Sequence, residues 1–130
     1  MEGAWGALAG AIVIGVGALL MLWLARRSAA GTLPRNQLAG IRTPLTLSSD
    51  EAWYPAQAAA APATRTAALG GLIGSVAALV ASVIVLVLGA EGIVPGLLCA
   101  GLLLAATAWL LVFVLIGAAA VLRAARDTSR

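Results

Sequence analysis

NQLAGIRTPLTLSSDEAWY, residues 36–54, is the polar stretch of a chain built otherwise almost wholly from Ala, Val, Leu, Ile and Gly. It gathers Asn36, Arg42, Thr43, Thr46, Ser48, Ser49, Asp50 and Glu51, and closes on Trp53 and Tyr54. One compact polar segment between apolar runs points to recognition, to docking on a membrane surface, or to both. The runs on either side decide the fold class. Of the 130 residues, 62% are hydrophobic and 10% charged. A soluble domain is about 45–50% apolar and about 25% charged. The composition implies a membrane protein with few spans and leaves no stretch for a large soluble core.

Upstream of the polar stretch, an apolar run covers about residues 4–25, long enough to span, since a crossing helix needs about 20 apolar residues. Trp5 and Trp23 stand near its ends, roughly 27 Å apart on a helix, and are placed as interfacial anchors. A secretory signal would carry basic residues before the run; here Glu2 precedes it and Arg26 and Arg27 follow, so a retained span is expected. Downstream, residues 67–90 form a second span, Glu91-Gly92 a short turn, and residues 93–122 a third. Pro95 is acceptable in the first turn of that last helix. Thirty helical residues measure about 45 Å, more than a hydrocarbon core of about 30 Å, so the third helix tilts or projects beyond the bilayer.

Residues 26–66 form the motif loop. Pro34 and Pro44 hold their preceding residues extended. Ser48 followed by Glu51 has capping-box spacing, and Asp50 and Glu51 suit a first helical turn. A short helix is expected to start near Ser49 and to kink or end at Pro55, with residues 56–61 able to resume it as far as Pro62. Trp53 and Tyr54 would press it onto the bilayer surface. The expected fold is therefore all-α: three transmembrane helices and a loop containing a short interfacial helix.

Every basic residue is Arg. The loop segment holds Arg26, Arg27, Arg35, Arg42 and Arg65, and the tail Arg123, Arg126 and Arg130. With three spans these share one face of the membrane, which the positive-inside rule makes cytoplasmic. The absence of Lys beside an excess of Ala, Gly, Val and Leu suggests a GC-rich bacterial genome, so the expected location is the bacterial inner membrane, with the N-terminus outside and the loop and C-terminus inside. The basic balance does not suggest nucleic acid, because the charges flank spans instead of lining a groove. Small pairs at four-residue spacing, Gly6 with Gly10, Gly70 with Gly74 and Gly101 with Ala105, are candidates for close helix packing.

No Asp, Glu, Arg or Lys lies within those three expected spans, which argues against an ion-coupled transporter. His is absent and Cys99 is the single cysteine. No cofactor or metal is expected, and Cys99 reads as a small core residue. No base stands ready to activate Ser48, Ser49 or Thr43, so a capped helix start beside a loop arginine explains these residues better than an enzyme does. Arg42 can ion-pair with Asp50 or Glu51, touch a lipid phosphate, or contact a partner. Trp53 is an interfacial anchor or a recognition residue. Asn36 and Gly40 shape the loop.

Asn36, then Gly40-Ile41-Arg42-Thr43-Pro44, then Thr46-Leu47-Ser48, then Trp53 resembles the signature of the SdpI family of bacterial membrane proteins. The family carries a polar or basic pair shortly after the Trp; here the chain reads Pro55-Ala56-Gln57-Ala58, with Gln57 as the stand-in. The resemblance implies immunity to, or signalling about, a secreted antimicrobial peptide toxin. It marks Asn36, Gly40, Arg42, Thr43, Pro44, Thr46, Ser48, Glu51 and Trp53 as motif or partner-binding residues. The implied partners are the lipid bilayer, a peptide toxin and a cytoplasmic regulator. The competing class is a small accessory subunit with a helix–helix partner in the membrane, packed against a larger complex.

Overall fold

The computed structural model describes residues 2–36, 40–44 and 46–128. Three helices account for most of them: α1 (Glu2–Ala29), α2 (Asp50–Leu88) and α3 (Ile93–Thr128). One 3-10 turn, Thr46–Ser48, precedes α2. Each long helix is apolar and long enough to cross a membrane, so the chain is an all-α, multi-pass membrane protein with three candidate spans. Arg130, expected in the basic tail, lies outside the described residues.

The packing inverts that of a soluble protein. α2 is the middle helix; α1 and α3 both pack along it and touch each other sparingly. The buried seam of α1 runs along Ala4, Ala11, Ala18 and Ala25 at seven-residue spacing, with Ala7 and Ser28 buried beside it. Between its two neighbours α2 buries Ala67, Ala68, Gly71, Ser75, Ala78 and Ser82, with Gly71 against Leu110 of α3 and Ser75 against Gly15 of α1. Large side chains such as Val13, Ile73, Val87 and Leu104 point outward. Lipid is as apolar as leucine, so transfer from water drives nothing here; close approach of small residues does. The buried hydroxyls are satisfied locally: Ser75 Oγ donates to the Leu72 carbonyl at 2.8 Å and Ser82 Oγ to that of Ala78 at 2.7 Å.

The middle helix departs from the expected short element. α2 is continuous from Asp50 to Leu88 and runs through Pro55 and Pro62. A proline inside a helix removes one backbone bond and costs about 3 kcal/mol. Both prolines are exposed, as are Glu51 and Ala58, whose carbonyls they leave without helical donors. The opposite side buries Ala52, Trp53, Ala56, Gln57, Ala60 and Ala61. Fully burying one large apolar side chain contributes about 1.5–3 kcal/mol, so the packed face holds the helix where sequence-local rules would end it.

Its length has a structural consequence. At about 1.5 Å per residue α1, α2 and α3 measure roughly 42, 58 and 54 Å, against about 30 Å of hydrocarbon. The first part of α2 and the last part of α3 lie together at the loop end, where this surplus length extends past the bilayer or is taken up by tilt. They meet there at Ala56, Ala60 and Val121, with Ile41 of the loop packed against them. At the far end the α2–α3 turn closes with Gly89 left-handed (φ 60°). The Gly89 amide bonds to the Leu86 carbonyl (3.3 Å) and the Ala90 amide to that of Val85 (3.1 Å), a Schellman closure.

The small-residue pairs divide. A Cβ on Gly70 would overlap the Trp109 indole, and one on Gly74 would lie 2.7 Å from Ala106 Cβ. Gly10 faces Leu103 more loosely, at 3.2 Å, while Gly6 and Gly101 face open space. On α3 the small residue buried at this level is Ala106, one position beyond the expected Ala105, which is exposed. We therefore predict that Gly70→Leu and Gly74→Leu each destabilise the bundle by ~1–3 kcal/mol or more, measured by unfolding in mixed micelles. Gly6→Leu and Gly101→Leu should stay near wild type. Equal losses in all four would contradict this packing.

Candidate functional site

The polar loop is folded onto the N-terminal end of α2. Its first anchor is the end of α1. Arg27 stacks over the Trp23 ring at 5.4 Å and donates to the Thr32 carbonyl from Nε (3.2 Å) and Nη2 (2.7 Å). The Thr32 amide returns to the Arg27 carbonyl at 2.9 Å. The chain then inserts Leu33, 3% exposed, beside Trp53. Trp53 is 0% exposed, and its indole Nε1 donates to the Leu33 carbonyl at 2.8 Å. Asn36 Nδ2 donates to the Pro34 carbonyl at 2.7 Å and shapes the turn.

The second anchor is Gln57, one turn after Trp53 on the same face. Its Oε1 accepts the Ile41 amide at 3.0 Å, and its Nε2 donates to the Ile41 carbonyl at 2.7 Å. A carboxamide can serve both groups of one peptide residue at once because it carries a donor and an acceptor side by side. Gly40 makes the approach possible. Its φ is +96°, and a Cβ there would sit 3.0 Å from Gln57 Oε1 and 3.1 Å from Trp53 Cη2.

The third anchor is a reciprocal threonine pair. The Thr43 amide donates to Thr46 Oγ1 (2.8 Å), and the Thr46 amide donates to Thr43 Oγ1 (3.1 Å). Thr46 is fully buried, its hydroxyl also within reach of the Ile41 and Thr43 carbonyls at 3.3 and 3.1 Å. The 3-10 turn follows, then α2. Its N-cap is Ser49, extended at φ −163°, with Oγ accepting the Ala52 amide at 3.1 Å. The expected Ser48–Glu51 capping box is therefore not formed: the 3-10 turn takes up Ser48, the cap moves to Ser49, and Ala52 at the third helical position has no side chain to return the bond. Asp50 faces Arg35 at 3.7 Å, a neighbour the sequence reading did not name for it.

These anchors sort the motif. Gly40, Thr43, Thr46 and Trp53 hold the loop. Arg42, Pro44, Ser48 and Glu51 are exposed. The expected membrane-facing role of Trp53 is not what the structure has: the ring is enclosed by its own protein. Sequence reasoning missed Leu33, placed the helix start near Ser49 but read the cap as Ser48, and underrated Gln57. The signal for Gln57 was its spacing, one turn from Trp53 in a stripe continued by Ala56 and Ala60. Beneath the loop a cavity of about 150 Å³ is lined by Ser28, Gly40, Ile41, Gln57 and Thr64 among others. Among the described residues no three His, Cys, Asp or Glu come together so as to hold a metal. What the arrangement offers chemically is a fixed polar surface with a guanidinium, a hydroxyl and a carboxylate on it.

Gln57→Leu keeps much of the side-chain volume but strands both groups of Ile41, a loss of about 1–3 kcal/mol. Limited proteolysis should then cut within residues 32–44 faster, with the spans still protected. Ser49→Ala, at about 1 kcal/mol, should do so more mildly. Unchanged cleavage in Gln57→Leu would contradict the clamp.

Neither a curated protein nor a solved structure matches the chain. A family model does: it matches residues 32–124, from the start of the loop almost to the end of α3. The match takes in the loop from Thr32, the Gln57 and threonine-pair anchors, all of α2 and most of α3, and the chain belongs to the SdpI/YfhL protein family.

Proposed function

We propose that this SdpI-like membrane protein acts by binding rather than catalysis, in immunity to or signalling about a secreted antimicrobial peptide. The observation that carries the reading is the division of the motif. Its interior half is spent on holding the loop still, and its exterior half presents Arg42, Pro44, Ser48 and Glu51. A pre-ordered surface binds a partner without first losing loop entropy. The helical bundle would engage the toxin in the bilayer, and the loop surface would hold a cytoplasmic regulator. No step of bond chemistry is needed.

The same proposal sets the orientation. Arg26, Arg27, Arg35 and Arg42 fall at or beyond the loop-side end of α1, Arg65 in the loop-side part of α2, and Arg123 and Arg126 near the end of α3. The α2–α3 turn carries Glu91 and no Arg. The positive-inside rule then puts the loop in the cytoplasm of a bacterial inner membrane. In a Cys99→Ala background, Ser48→Cys should escape membrane-impermeant thiol reagents in intact cells and Glu91→Cys should react. Labelling at position 48 from outside would reverse the orientation.

Arg42 offers the least replaceable chemistry on the exposed surface, a planar fork that can hold two acceptor oxygens. Losing a charge-assisted contact of this kind costs about 1.5–3 kcal/mol, roughly ten- to hundredfold in affinity. Arg42→Ala should therefore abolish most protection against the cognate peptide at normal membrane levels, and Arg42→Lys should impair it. Full protection by both would sink the recognition role. If Gly70→Leu alone removed the activity, through loss of a co-purifying complex, the accessory-subunit reading would replace it.

A further inference from the structure

Arg26 and Arg27 are neighbours in the last turn of α1, yet they are used differently. Arg27 is committed to Trp23 and Thr32. Arg26 lines a groove of about 820 Å³ between α1 and α2, and Arg65 of α2 lines it as well. Among the described residues neither guanidinium has a carboxylate partner, and no acid lines the groove. Below the arginines the walls are apolar, with Leu22, Ala25 and Leu69.

The groove lies at a particular depth. From Arg65 to the end of α2 at Leu88 is roughly 36 Å of helix, close to a hydrocarbon core of about 30 Å. The half-exposed Trp23 ring, suited to the headgroup layer, precedes Arg26 by less than one turn. Arg26 and Arg65 thus stand where the helices leave the hydrocarbon, with Leu22 and Leu69 about one turn deeper. Pro62 adds a third element. It lines the groove together with Ala58, and its missing N–H leaves the Ala58 carbonyl without a helical donor. Two cations and a free acceptor above an apolar wall complement an anionic head that carries a hydroxyl and an acyl tail. Basic pockets between helices at this level suit anionic headgroups.

We infer that this groove holds one anionic phospholipid. Its phosphate bridges Arg26 and Arg65, a headgroup hydroxyl donates to the Ala58 carbonyl, and an acyl chain runs along Leu22 and Leu69. The inference does not depend on the toxin role or on which face of the membrane the loop occupies. A free phosphate would use the arginines but not the apolar wall.

The test is native mass spectrometry of the full chain in detergent, with added phosphatidylglycerol or phosphatidylcholine. The expected result is one retained phosphatidylglycerol and no retained phosphatidylcholine. Arg26→Gln and Arg65→Gln should each weaken retention about fivefold, whereas Arg123→Gln, which removes the same charge outside the groove, should not. Ala58→Trp fills the groove from an exposed position while keeping both arginines, and should block retention with the melting temperature unchanged. It decides the matter if the arginine variants fail to fold. Undiminished binding in Ala58→Trp, equal retention of the two lipids, or displacement of phosphatidylglycerol by millimolar inorganic phosphate would each overturn the inference.

Discussion

A single glutamine side chain holding both backbone groups of Ile41 is the constraint on which the loop side of this molecule depends. A loop of this length brings many peptide groups that need partners, and buried ones are costly to leave unpaired. Gln57 supplies a donor and an acceptor to one residue, and Trp53 supplies a donor to Leu33 twenty positions upstream. Those contacts are possible because α2 is longer than a span needs. The helix that crosses the bilayer also supplies, in its surplus length, the face on which the loop is built. Span and loop are therefore one structural unit, joined by the Ala56–Ala60–Val121 cluster where α3 comes alongside.

Two environments use two packing rules in this chain. Along the spans, alanine, glycine and serine lie inside and the large residues face outward, because bulk at the seam keeps helices apart. Beyond the spans the largest fully buried side chain is Trp53, and ordinary hydrophobic burial resumes. The change occurs along α2, between the Trp53 and Gln57 level and the Gly70, Gly71 and Gly74 level. The arginines follow the same geography. Arg27 closes α1, Arg35 sits by Asp50, and Arg26 and Arg65 face the groove at the boundary.

Much of this was legible in the sequence. The number of spans follows from three apolar runs, and the residues of the motif follow from their fixed spacing. The role of Gly40 could be anticipated because glycine tolerates the positive φ it adopts. The end of the loop could not be read, because Pro55 and Pro62 are local stop signals and the forces that override them come from α3 and from the loop itself. Trp53 was misread for a related reason. An aromatic residue close to a span resembles an interfacial anchor until its neighbours are known. The Ser49 cap differs from the expected Ser48 by one residue, a distinction that depends on the 3-10 turn before it. The alanine heptad of α1 was visible as spacing but is easily lost in a chain so rich in alanine.

The burial of Trp53 tests the account most directly. In a chain with Trp5, Trp23 and Trp109 replaced by Phe, fluorescence excited selectively at tryptophan, beyond the absorption of Tyr54, reports on that ring alone. The measurement is its quenching in vesicles, by acrylamide from the water and by bromine-labelled acyl chains from the bilayer. A ring enclosed between Leu33, Gly40 and α2 is quenched weakly by both. Strong quenching by the brominated chains would put Trp53 in the bilayer interface, and strong quenching by acrylamide would put it in water. Either result would contradict the latched loop.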